Sequence, residues 1–155
     1  MRHIIIATAL LIAFMATARA DFQEGYAAYG RGEYANALRE FRPLASQGDA
    51  SAQFALGVMY RTGQGVVQDY AEAAKWYRMA AEQGHSEAQV GLGGMYGTGR
   101  GMPQSYVQAH LWFNLAAAQR LEQASKLRDI VAEKMTPAQI TEAQRLAREW
   151  KPKKQ

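Results

Sequence analysis

The sequence predicts an all-α protein made of stacked helix pairs, and three observations carry that prediction. The chain repeats itself every 36 residues, apolar residues within a repeat fall at helical spacing, and capping residues mark where helices start and stop. Ala52–Ala81 and Ala88–Ala117 align without a gap and agree at 15 of 30 positions. Self-similarity at a period of roughly 20–50 residues marks architectures in which each unit buries its apolar face on its neighbours.

The first unit spans about 22–48. Tyr34, Ala37, Phe41, Ala45 and Gly48 stand 36 residues before Tyr70, Ala73, Tyr77, Ala81 and Gly84. Its turn, YGRGEY, is short, so its leading helix aligns only after a small deletion. The second unit spans about 49–84. Ala52, Leu56, Met59 and Tyr60 share one helical face, and so do Tyr70, Ala73, Tyr77, Ala80 and Ala81. Asp69 with Glu72 reads as a capping box, repeated in the third unit (about 85–119) by Ser105 with Gln108. Gly48 and Gly84 follow the second helices, where a left-handed residue commonly ends a helix. The small residues Gly57, Ala73, Ala80 and Ala81 let paired helices approach closely.

From Leu121 the period stops, and 121–150 reads as capping helices. Ala124, Leu127, Val131 and Met135 form one stripe. Thr136, Pro137 and Gln139 open a last helix as N-cap, N1 and N3. Ile140, Ala143, Ala147 and Trp150 give that helix an apolar face, while Glu142, Arg145, Arg148 and Glu149 stay wet. A helical array needs such a cover on its final unit. Residues 151–155 are a basic tail, expected to be solvated.

The segments AQFALGVMYRTGQGVVQDYAEAAKWYRMAAEQGH (52–85) and AQVGLGGMYGTGRGMPQSYVQAHLWFNLAAAQ (88–119) resemble the Sel-1-like repeat, a longer relative of the tetratricopeptide repeat. The resemblance implies a right-handed α-solenoid of antiparallel helix pairs, three units plus the C-terminal caps, used mainly as an adaptor surface for other proteins.

The turns YRTGQGV and YGTGRGM invite a phosphate-loop reading, because glycine-rich turns before helices bind anions. A catalytic loop is needed once, however, and a structural turn in every unit. Gly63 and Gly65 recur as Gly99 and Gly101, and neither pair is followed by the Lys-Ser/Thr that a phosphate loop requires. The turn is read as architecture.

Residues 1–20 read as a signal peptide. Arg2 and His3 precede an apolar run from Ile4 to about Ala16, and Ala18-Arg19-Ala20 offers the small-x-small cleavage pattern. Cleavage between Ala20 and Asp21 would leave a 135-residue chain, exported to the periplasm or secreted. Without Arg2 and Arg19 the formal charge falls from +4 to +2, and Lys151, Lys153 and Lys154 exceed that remainder. No basic face is left for nucleic acid, and mixed charges on the last helix argue against a membrane. With no cysteine, disulfide staples and thiol chemistry are excluded.

No histidine stands at a metal-ligand spacing, so no cofactor or metal is expected, and the protein reads as a non-enzyme. His85 takes the helix-flanking place of Asp49, and His110 stands where unit two has Ala74. The repeated aromatics read as core. Residues of the first helices that avoid the packing stripe are then the partner-binding candidates. These are Gln53, Phe54, Val58 and Arg61 in unit two, with Gln89, Val90, Gly94 and Gly97 in unit three. They predict a shallow apolar groove, rimmed by Arg61 and Arg100, for a protein or peptide partner; weak self-association is a further outcome. In the rival arrangement Phe54 and Val90 pack between units and are inaccessible. Four glycines in the first helix of unit three, where unit two has one, predict its lowest local helix propensity.

Some exported relatives of this repeat are associated with β-lactams or peptidoglycan fragments, which gives the alternative of cell-wall binding or hydrolysis. Those relatives are rich in disulfide-forming cysteines, and this chain has none.

Overall fold

The computed structural model describes residues 21–153, and every regular element among them is helical. The predicted signal peptide lies outside the described residues. The helices are α1 (21–30), α2 (Tyr34–Ser46), α3 (Ala50–Thr62), α4 (Tyr70–Glu82), α5 (Ser86–Thr98), α6 (Tyr106–Ala118), α7 (Glu122–Ala132) and α8 (Pro137–Glu149). Each of α2 to α6 packs on the next, and α6 carries both α7 and α8. Among the described residues no helix is long and apolar enough to cross a membrane.

One contact recurs in every pair. A glycine on the first helix receives an aromatic ring from the second. A Cβ added at Gly25 would stand 2.8 Å from Phe41, at Gly57 2.5 Å from Tyr77, and at Gly93 2.8 Å from Phe113. Phe41, Tyr77 and Phe113 are spaced by 36 residues, whereas Gly25 and Gly57 are 32 apart. The short turn of the first unit therefore absorbs four residues without disturbing this contact. Around the rings the core is mostly alanine, with Ala37, Ala45, Ala73, Ala80, Ala81, Ala109 and Ala116 all at 0% exposure. Small side chains bring the helix axes close, and dispersion contacts accumulate with so little free volume.

The repeated turn is structural in detail. Gly63 and Gly99 are left-handed and end α3 and α5. The backbone N–H of Asp69 donates to Tyr60 O at 2.9 Å, and that of Ser105 to Tyr96 O at 2.9 Å. Gln68 Nε2 donates to Arg61 O at 2.8 Å, and Gln104 Nε2 to Gly97 O at 2.7 Å. Gly101, with φ +74°, lies against the start of α4, and a Cβ there would come within 2.3 Å of Tyr70 O. The two capping boxes expected in the repeats are consequently half-formed. Asp69 and Ser105 accept from the first turn of their helices, but their own N–H groups are already bonded across the turn. Glu72 pairs with Lys75 instead. Among the described residues only Thr136, whose N–H has no such partner, forms the full box, with Gln139.

The end of the chain departs from expectation. Trp150 meets Trp112 edge-on, with ring centroids 6.3 Å apart, and so covers α6. The backbone N–H of Lys153 then donates to Glu82 O at 2.8 Å, while its ammonium reaches the Glu82 carboxylate at 2.7 Å. The described part of the tail is exposed, yet it is tied to the end of α4. A free carbonyl at a helix C-terminus wants a donor and favours a cation, and Lys153 supplies both.

Candidate functional site

The site is built on the exposed faces of the first helices. Residues three and four apart share one face of a helix, so each first helix presents a single stripe beside the glycine that seats the ring. Phe54, Val58 and Arg61 stand along α3, and Val90 and Gly94 along α5. These positions, together with Arg100, line one groove of about 580 Å³. Gly91 and Thr98 continue its floor, and Leu121, Gln123 and Leu127 form the far wall. Gly94 has nothing within 4 Å of a would-be Cβ, so α5 is a low floor between the α3 and α7 sides.

Phe54 combines both arrangements the sequence left open. Its ring stacks on His85 at 4.9 Å and tilts against Tyr77 at 5.8 Å, so one side packs between units. The other side faces the groove, and the residue is half-buried. Val58 and Val90 are likewise half-buried, while Arg61 and Arg100 are exposed. A second hollow of about 340 Å³ continues past Phe54 and Val58 toward Phe22, Tyr26, Tyr29 and Phe41.

The two arginines are held by aromatic partners. Arg61 Nε donates to the Tyr77 hydroxyl at 3.0 Å. The Arg100 guanidinium lies 5.5 Å from the Tyr70 ring centroid, a cation–π distance. Burial pushes the Tyr77 phenol above its usual range, and the Arg61 hydrogen bond pulls it partly back. At the opposite end of the groove, Glu87 accepts from Ser86 and stands 3.4 Å from His85 Nδ1.

Gln53 is a correction. It is fully buried and faces the interior, not the groove. Its Nε2 donates to Ala45 O at 3.1 Å, and its Oε1 accepts from Gln83 Nε2 at 2.7 Å. Gln89 repeats this one unit on, donating to Ala81 O at 3.3 Å and accepting from Gln119 at 3.0 Å. A buried amide is costly unless both ends are bonded, and here both are. These glutamines stitch unit to unit.

The histidines have structural places. His85 is the N-cap of α5, its Nδ1 accepting from the Ala88 N–H at 3.3 Å, as Asp49 accepts from Ala52 at 2.7 Å. His110 is buried on α6, and its Nδ1 has no protein partner. Burial lowers the pKa of both; Arg128 adds to this at His110, and Glu87 opposes it at His85. Among the described residues no group of three His, Asp or Glu side chains is placed to hold a metal.

A sequence model of the Sel1 repeat matches residues 50–85 and 86–121, the spans holding α3–α4 and α5–α6. This chain contains two Sel1 repeats. No curated protein matches the sequence. Among solved structures, a protective antigen present in uropathogenic Escherichia coli strains, displaying an SLR fold, superposes with a TM-score of 0.83 at 36% identity. The match covers 89% of this chain and 30% of the antigen. A Sel1 repeat protein from Oxalobacter formigenes superposes at 0.69 with 27% identity, over 84% of this chain and 56% of its own. The chain thus spans less than a third of the first relative and just over half of the second. Sel1 repeats generally mediate protein–protein interaction, and their fold is typically a non-catalytic scaffold.

Sequence reasoning on these Sel1 repeats missed Gly91, Thr98 and the α7 side of the groove. Gly91 carried a signal, since unit two has Ala55 there. Gln123 and Leu127 carried none, because they lie past the last repeat, and Leu121 is only its final matched residue.

Proposed function

We propose that this protein is a non-enzymatic adaptor, exported to the periplasm, that holds an apolar segment of a partner protein in the groove between α3 and α7. The observation that carries this reading is the convergence of Phe54, Val58, Arg61, Val90 and Arg100 on one open, largely apolar trough. The family supports the adaptor class, and the composition of residues 1–20 supports export. A groove with an apolar floor and a charged rim recognises a segment by its apolar side chains and orients it by charge.

The test places a photo-crosslinking residue at Val58 and, in parallel, fills the trough with Gly94→Trp. The expected result is one defined protein adduct, mapped to an apolar segment, that disappears in the filled variant. An adduct indifferent to Gly94→Trp would overturn the groove. A thermal shift with muropeptides or β-lactams and no groove-dependent adduct would replace the adaptor by a cell-wall ligand.

A further inference from the structure

The units of this array can be compared position by position, because the ring-receiving glycines fix their register. Gly25 and Gly57 each seat the ring of their own second helix, so Tyr29, four residues past Gly25, corresponds to Arg61, four past Gly57. In the turns, Gln64 corresponds to Arg100 and Thr62 to Thr98, and Tyr34 to Tyr70 at the helix that follows.

At the first of these two places the side chains close on one another. The Gln64 Oε1 accepts from the Tyr29 hydroxyl and from Thr62 Oγ1 at 2.9 Å. Its Nε2 donates to the Tyr34 hydroxyl at 2.8 Å. This neutral network joins the two units. At the second place Tyr29 and Gln64 are both replaced by arginine. Two donors of like charge cannot bond to each other, so the bridge is absent and the place opens into the groove. Arg61 and Arg100 line the same cavity, and among the described residues neither forms an ion pair. Four other arginines do, Arg31 with Glu33, Arg39 with Glu40, Arg128 with Asp129, and Arg145 with Glu142 and Glu149, while Arg42, Arg78, Arg120 and Arg148 do not, so what sets Arg61 and Arg100 apart is their shared place in the groove. The one carboxylate lining the groove, Glu87, is eleven residues of α5 away from Thr98, about 16 Å at 1.5 Å per residue.

The tyrosines that hold the arginines leave guanidinium N–H groups over. Arg61 commits Nε to Tyr77, and its terminal nitrogens make no hydrogen bond within the described residues. Arg100 lies over the Tyr70 ring, a contact that consumes none of its donors. Two such guanidinium groups at the end of an apolar trough are the complement of a carboxylate, which accepts bidentate bonds from them.

We propose that Arg61 and Arg100 form the anion subsite of the groove, and that the partner is an acidic-apolar peptide segment. One Asp or Glu carboxylate of the partner completes the bridge that Tyr29 and Gln64 make for themselves one unit earlier. The flanking apolar side chains lie over Val58, Val90 and Gly94. This deepens the groove reading and rests on it.

The test uses the mature chain and two blocked leucine pentapeptides, one with a central glutamate and one with a central glutamine, followed through the Arg Nε–H and Val methyl resonances. The glutamate peptide is expected to shift Arg61, Arg100 and Val58 saturably. The glutamine peptide should bind at least about tenfold more weakly, the worth of a charge-assisted bond. Arg61→Tyr with Arg100→Gln restores the unit-one chemistry and should abolish the preference without loss of fold. Arg100→Gln, which leaves the Arg61–Tyr77 bond in place, should lose most of it.

Equal binding of the two peptides with Val58 shifts would sink the anion subsite and leave the groove standing. Failure of both peptides, with groove-dependent crosslinking still present, would reject an acidic-apolar partner. Failure of both peptides and of the crosslink would reject the groove itself. Shifts at the arginines with inorganic phosphate but with neither peptide would reduce the pair to an adventitious anion contact and overturn the proposal.

Discussion

The ring of Tyr77 occupies the space that any side chain at Gly57 would need, with a would-be Cβ only 2.5 Å from Cδ1. On its other edge the same ring touches the backbone at Gly91, where a Cβ would stand 3.1 Å away. Gly57→Ala must therefore push a buried ring, at an expected net cost of about 1–3 kcal/mol. Gly94→Ala meets open space and should stabilise by about 0.5–1 kcal/mol through helix propensity. Urea midpoints of the two variants check this, and equal effects would contradict the ring-seat description.

The glycines of α5 also bear on its dynamics. Gly91 and Gly93 admit rings, whereas Gly94 and Gly97 give the helix no comparable contact. Amide exchange over Ser86–Thr98 is expected to be faster than over Ala50–Thr62, because glycine lowers helix propensity by about 1 kcal/mol per residue. Slower exchange in α5 would mean that the seated rings outweigh that loss.

Gln53 and Gln83 should be energetically coupled. Each single change to alanine strands a polar group, costing about 1–3 kcal/mol at the fully buried Gln53. The double-mutant cycle should return an interaction of about 0.5–3 kcal/mol. Gln47, the exposed counterpart of Gln83 in the first unit, should lose little on the same change. Additive effects at Gln53 and Gln83 would dissolve the stitch.

Much of this fold was legible because the chain states it twice. Glycine, alanine and tyrosine returning at 36 residues fixed the helix pairs and turns, and Thr136-Pro137 fixed the start of α8. By the same logic Gln53, which recurs as Gln89, belonged to the architecture. Its assignment to the binding face failed because helical spacing alone does not say that an amide can be satisfied inside. That depends on Ala45 and Gln83, which folding brings from eight and thirty residues away. The tie of Lys153 to Glu82 spans 71 residues and left no mark in a run that reads as charge. On the groove, the residue types at Phe54, Val58 and Val90 were readable, but the α7 wall stands outside the period.

Stability should fall as pH drops below the ordinary histidine value of 6.5. Burial lowers the pKa of His85 and His110 in the folded state, so the unfolded chain binds protons first. Their contribution is complete above that value and is lost as pH falls through the two folded pKa values. At His85 the proton would also land on the Nδ1 that caps α5. His85→Asp with His110→Ala, the residues that precede each by one period, should flatten the profile between about pH 7 and 5. Thermal unfolding across that window checks the sign.

Trp150→Ala should uncover Trp112 and cost about 1–3 kcal/mol. Lys153→Ala should cost less than about 1 kcal/mol, since its ion pair is largely exposed and its backbone bond survives. Chemical denaturation of both variants separates the ring contact from the charge.

The glutamine stitches give the array a defined growing edge. The buried glutamine bond that a unit makes to its predecessor is repeated toward its successor, until Ser125 stands where the next glutamine would come. A duplicate of residues 50–85 spliced between 85 and 86 would meet matched amides, glycines and rings on both sides. Such a lengthened protein should fold with its terminal tryptophans still paired, and its trough would grow by one unit's width.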